Sequence, residues 1–103
     1  ILFDSEMIVN EVLPNLKSLT YNFRYYGYAS KKHKYIRLNK EQLPNLRNIK
    51  SEQGIRYLDI SSFEATDFDS INVIADTICM TASMWELDKI KGNQIRAYEY
   101  IIK

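Results

Sequence analysis

The chain has one cysteine, one histidine and three glycines among its 103 residues, and each scarcity removes a class of chemistry. Cys79 has no partner for an internal disulfide. Its place in the apolar run Ile78-Cys79-Met80 reads as a core thiol rather than a nucleophile, in keeping with a reducing compartment. His33 stands alone among lysines, so neither a His-based triad nor a zinc set can be assembled. Gly27, Gly54 and Gly92 are too scattered to form a phosphate-cradling loop. Apolar runs such as Val12-Leu13 and Ile101-Ile102 fall far short of the roughly 18 residues that span a bilayer, so no transmembrane helix and no membrane partner are expected. Asp4, Asp59, Asp67 and Asp69 are carboxylates that strand ends could gather around Mg²⁺, but no motif links them. No catalytic residue, cofactor or metal is expected, and the chain reads as a binding module rather than an enzyme.

The remaining composition is that of one globular domain. Hydrophobic residues make up 46% and charged residues 26%, which gives a core enough material and leaves no segment biased towards disorder. The opening Ile1-Leu2-Phe3-Asp4, without an initiator Met, reads as a domain cut from a longer protein. A net charge of +1 conceals a basic middle: residues 17–56 carry ten bases and two acids, flanked by acidic ends. Lys31, Lys32, Lys34, Arg37 and Lys40 are its densest part, a candidate surface for acidic peptide, phosphopeptide or nucleic acid, or simply a solvated loop.

Periodicity predicts a strand at 1–3, a helix capped by Asp4 or Ser5 and ending near Pro14, and an aromatic strand over 20–30. Asn39 and Gln42 resemble a capping box for a short helix. Ile55 to Ile60 reads as the clearest strand. Ile71, Ile74, Ala75 and Ile78 have the spacing of one helix face, with Asp69 or Ser70 as cap, and Cys79-Met80 fall on a short strand. Ser83 and Glu86 form a second capping box for a helix through Trp85 and Ile90, closed by Gly92, and 96–102 is a final extended segment. Alternating strands and helices predict an α/β fold, a small, mainly parallel four-stranded sheet flanked by helices.

Two family resemblances follow. Leu13-Pro14-Asn15-Leu16-Lys17-Ser18-Leu19 and Leu43-Pro44-Asn45-Leu46-Arg47-Asn48-Ile49 are near copies thirty residues apart, and the pair resembles leucine-rich repeats, whose stacked strands make a concave binding face. The stretch Ile78 to Gly92, with Trp85, Ile90 and a downstream Tyr98 or Tyr100, resembles the end of a divergent BRCT domain, such as the hybrid BRCT-like domain of fungal silent-information-regulator scaffolds. That resemblance implies a nuclear module, of the kind used in chromatin and transcriptional silencing, docking short peptides of partner proteins, some of them phosphorylated. It implies Ser5 as a phosphate ligand, although Ser5 is more simply a helix cap. No Lys or Arg lies between Arg56 and Lys89, so the cation would come from Lys89, Lys91 or the basic block. Trp85 and Gly92 are structural in this reading. Tyr21, Phe23, Tyr25, Tyr26 and Tyr28 near Arg24 could instead stack bases, which keeps nucleic acid as a further alternative.

Overall fold

The computed structural model describes residues 12–21, 35–51 and 55–103. They form an α/β chain with few helices and a curled sheet of six strands: β1 (Ser18–Tyr21), β2 (Tyr35–Arg37), β3 (Asn48–Ser51), β4 (Tyr57–Asp59), β5 (Ser70–Met80) and β6 (Gln94–Ile102). Every described pairing is parallel. The order is β1-β3-β5-β4-β2, with β6 also paired to β5. β3 and β4 therefore both lie against β5, at its start and near its end, while β6 pairs along almost its whole length.

Register turns this order into a stack of coils. Leu19, Ile49 and Ile71 stand in line across β1, β3 and β5, and Ile36, Leu58 and Ile78 across β2, β4 and β5. All six are buried. The side chains of Asn48 and Ser70 bond across a separation of 22 residues. Ile49 to Ile71 and Ile36 to Leu58 are steps of that same length, so the chain returns to the same place once per coil. Parallel strands need such a return, and here each return is a tight, apolar-lined turn rather than a crossover helix. Leu43 and Leu46 fill the first return, Phe63 and Phe68 the second, Met84 and Leu87 the third. Phe63 and Phe68 pack with ring centroids 5.1 Å apart. The main chain joins successive coils at both corners: Arg47 N–H donates to Lys17 C=O and Asp69 N–H to Arg47 C=O, while Leu38 N–H donates to Asp59 C=O and Ile60 N–H to Cys79 C=O. The two near-copy segments lie on one another, since Leu13 N–H donates to Gln42 C=O and Asn45 Nδ2 to Pro14 C=O.

Several expectations change. In place of four strands flanked by helices there are six strands and, among the described residues, one four-residue α-helix, α1 (Trp85–Asp88). Residues 71–78 are strand, not helix. Ile71, Val73 and Ala75 point inward at a period of two, Asp76 and Thr77 break the alternation, and Ile78 resumes it. A strand with one displaced residue thus shows apolar side chains at i, i+4 and i+7, the spacing of a helix. Ile71, Val73, Ile74, Thr77 and Ile78 are β-branched, which favours the strand.

Asn39 opens a turn rather than a helix, its Oδ1 accepting Glu41 N–H and its carbonyl accepting Gln42 and Leu43 N–H. Ser83 does not cap a helix reaching Ile90. Its hydroxyl donates to Glu64 Oε1 at 2.7 Å and accepts Ala65 N–H at 3.0 Å, tying the third return to the second. Gly92 has φ +94°, a left-handed conformation suited to glycine in the turn before β6. The strand expected at 55–60 is present as β4, and the extended end as β6. The strand at 1–3, most of the helix after it and most of the aromatic strand lie outside the described residues, and residues 12–14, the expected helix end, are not helical.

Candidate binding face

Because Ile36 and Leu58 point inward, the residues on either side of them point outward, and the parallel register sets them opposite one another. Tyr35 meets Tyr57: the rings stack with centroids 4.7 Å apart and planes 6° from parallel. Arg37 meets Asp59, with Nε 3.3 Å from Oδ2. The stack and the ion pair sit side by side on the outer face of the sheet, and Arg37 Nη2 reaches the Tyr35 hydroxyl at 3.5 Å.

Asp59 is 8% exposed. Burial opposes its ionisation, but donation from the Ser61 hydroxyl and N–H, at 2.6 and 2.9 Å, and the Arg37 guanidinium outweigh it, and the carboxyl titrates below its ordinary value. Tyr57 shifts the other way. Burial pushes its phenol up, and the neighbouring Cys79 thiol adds to the effect. Cys79 itself is fully buried on β5.

Along β5 the face opens into a groove of about 280 Å³ lined by Ile55, Ile74, Asp76, Arg96 and Tyr98. Its cause is the break between the β3 and β4 pairings, so that among the described residues no strand pairs with β5 residues 73–76 on that side. The buried Ser51 hydroxyl accepts Ile74 N–H there, and Asp76 N–H donates to Ile55 C=O. Tyr98 is 93% exposed at the rim. Among the described ion pairs none includes Asp76, Arg96 or Glu99.

The return side is different in kind, because its charges are paired between coils. Lys40 Nζ donates to Asp67 Oδ1 at 2.8 Å and to Pro44 C=O at 3.0 Å. Arg47 Nη2 meets Asp69 Oδ1 at 2.6 Å. Asp67 titrates below its ordinary value because Glu64 N–H and Lys40 outweigh its burial. Asp59 lies on the strand face while Asp67 and Asp69 lie on the returns, so these three carboxylates do not converge. Among the described residues no group of three or more His, Cys, Asp or Glu is placed to hold a metal.

Of the residues singled out in the sequence, Arg37 belongs to the face. Lys89 is exposed after α1, 3.7 Å from Glu86, and Lys91 is exposed in the turn before β6. β4 and β5 stand between them and Arg37 in the sheet, so these three cations do not form one phosphate pocket. Ser5, Lys31, Lys32 and Lys34 lie outside the described residues. Trp85 is half-buried against Tyr100, ring centroids 4.8 Å apart. Sequence reasoning passed over Tyr35, Tyr57 and Asp76, and named Tyr98 only as a downstream tyrosine of the BRCT resemblance. A signal for the first two exists: Tyr35-Ile36-Arg37-Leu38 and Tyr57-Leu58-Asp59-Ile60 are near copies one coil apart.

No protein-family model, curated protein or solved structure matches the chain.

Proposed function

We propose that the chain is a leucine-rich-repeat-type scaffold that binds a partner protein on its outer strand face. The observation that carries this reading is the in-register stacking of successive coils, the first lengthened by the connection between β1 and β2, with apolar ladders inside and the Tyr35, Arg37, Tyr57 and Asp59 row outside. Stacked aromatics and an arginine beside an apolar-floored groove have the composition of protein-binding hot spots. Photo-crosslinking residues test it. Placed at Tyr35 or Tyr98 they should capture a protein, and placed at Thr66 or Glu86 on the returns they should not. The reverse pattern, or capture of nucleic acid at Tyr35, would overturn it.

A second reading rests on Trp85 packing against Tyr100, a pairing in keeping with the BRCT resemblance. On that reading the chain is a nuclear module docking phosphorylated peptides of chromatin partners through Lys89 or Lys91. Calorimetry with matched phosphorylated and unphosphorylated peptides separates the two, because the repeat scaffold has no phosphate requirement.

A further inference from the structure

β6 lies on the far side of β5 from β3 and β4, and among the described residues no strand pairs with its second edge. Its sequence, Gln-Ile-Arg-Ala-Tyr-Glu-Tyr-Ile-Ile, contains no proline, glycine or lysine. Nine such residues, rich in β-formers, make a template to which another strand can add.

Three main-chain groups in the first half of β6 are already taken by side chains. Ile95 N–H donates to Asp88 Oδ1 at 2.9 Å. Ala97 N–H donates to the Tyr100 hydroxyl at 2.9 Å, and that hydroxyl donates in turn to Ile95 C=O at 3.1 Å. Residues two apart in a strand direct their N–H and C=O groups to the same side. The groups held by Asp88 and Tyr100 therefore belong to one edge, and side chains occupy the places a neighbouring strand would fill. Tyr100 is positioned for this by its ring, which packs on Trp85, and Asp88 by its place at the end of α1.

We infer that Asp88 and Tyr100 guard the edge of β6 against pairing with a second copy of this chain. The guard leaves the outer face, with Arg96 and Tyr98, open to a partner. It stands independently of the proposed function, because it concerns the edge and not the face.

The test combines hydrogen exchange with sedimentation on the full chain. Tyr100→Phe keeps the ring on Trp85 and removes the hydroxyl, and Asp88→Ala removes the carboxylate. In the double variant, held dilute enough to be monomeric, exchange at Ile95 and Ala97 should rise on the order of tenfold through loss of the Asp88 carboxylate and Tyr100 hydroxyl as acceptors. Concentration-dependent self-association should appear with it. Asp88→Asn retains a side-chain oxygen acceptor and should restore protection at Ile95. An unaltered circular-dichroism spectrum keeps loss of fold apart from loss of the guard. Unchanged exchange at both amides, or a double variant that stays monomeric at all concentrations, would overturn the inference, as would a parent chain that already dimerises through β6.

Discussion

Tyr35 and Tyr57 stand face to face on neighbouring strands, one full coil apart in the chain and 4.7 Å apart between ring centroids. The pair links the outer face to the core: the pairing of β4 with β5 sets Tyr57 opposite Thr77, two residues before the buried Cys79, whose thiol acts on the Tyr57 phenol. Burial and that thiol raise the Tyr57 phenol above its ordinary value of 10.0. Ultraviolet titration of the parent chain minus Tyr57→Phe should therefore isolate a phenol that ionises above pH 10, after an ordinary tyrosine. A difference curve centred at or below the ordinary value would contradict the geometry.

Leu58 is the middle rung of the second apolar ladder, between Ile36 and Ile78, and is 1% exposed. Leu58→Ala should lower the stability measured by urea unfolding by about 2 to 5 kcal/mol, the range for opening a cavity in a packed core. Tyr98→Ala, at the exposed rim, should change it by roughly 0.5 kcal/mol or less. If the two variants unfold at the same urea concentration, the ladder is not the core.

The strands that carry this core were unevenly legible. β4 and β6 announced themselves through β-formers bounded by Ser61-Ser62 and by Gly92. β5 hid behind its irregularity, since Asp76 and Thr77 both face away from the core and shift the later apolar residues into helical spacing. The repeat was visible in the two Leu-Pro-Asn-Leu segments, but at a spacing longer than the coil set by β2, β4 and the strands they join. The reason is a long connection: Tyr21 to Tyr35 spans fourteen residues where the equivalent Ser51 to Tyr57 spans six. Of the binding face, Arg37 was singled out as one charge in a basic run and Asp59 as one of four scattered carboxylates, with nothing to pair them. That the two are partners becomes visible only once register places β2 beside β4. Trp85 packs on Tyr100 and Gly92 turns the chain into β6, and the helix expected to join them is a single turn over Trp85–Asp88.

Gly92 adopts φ +94° with nothing within 4 Å of the position a Cβ would take. Gly92→Ala should therefore cost backbone strain alone, about 1 kcal/mol in thermal or urea unfolding. Gly92→Asn should cost less, because asparagine tolerates the left-handed region. Equal stability of the parent chain and both variants would show that the turn before β6 does not require this conformation.

The acid side of the stability curve follows from Asp59 and Asp67, both titrating below the ordinary 3.8 despite their burial. A carboxyl lowered in the folded state contributes stability that is present above its unfolded value and lost as pH falls through the folded one. The chain should hold a plateau above about pH 5 and lose stability progressively below about pH 4. Asp59→Asn should flatten that fall through the loss of Ser61 and Arg37 as partners, and Asp67→Asn through the loss of Lys40 and Glu64 N–H. The Lys40 and Asp67 pair is partly screened by solvent, with side chains 36% and 21% exposed, so a double-mutant cycle with Lys40→Met should give a coupling of about 1 kcal/mol or less at neutral pH. That coupling should fall as pH drops through the lowered folded-state value of Asp67 and vanish once the carboxyl is protonated. A coupling that persists there would mean that Lys40 acts through its bond to Pro44 C=O and its approach to the Phe63 ring, 5.9 Å from Nζ, and not through the carboxylate.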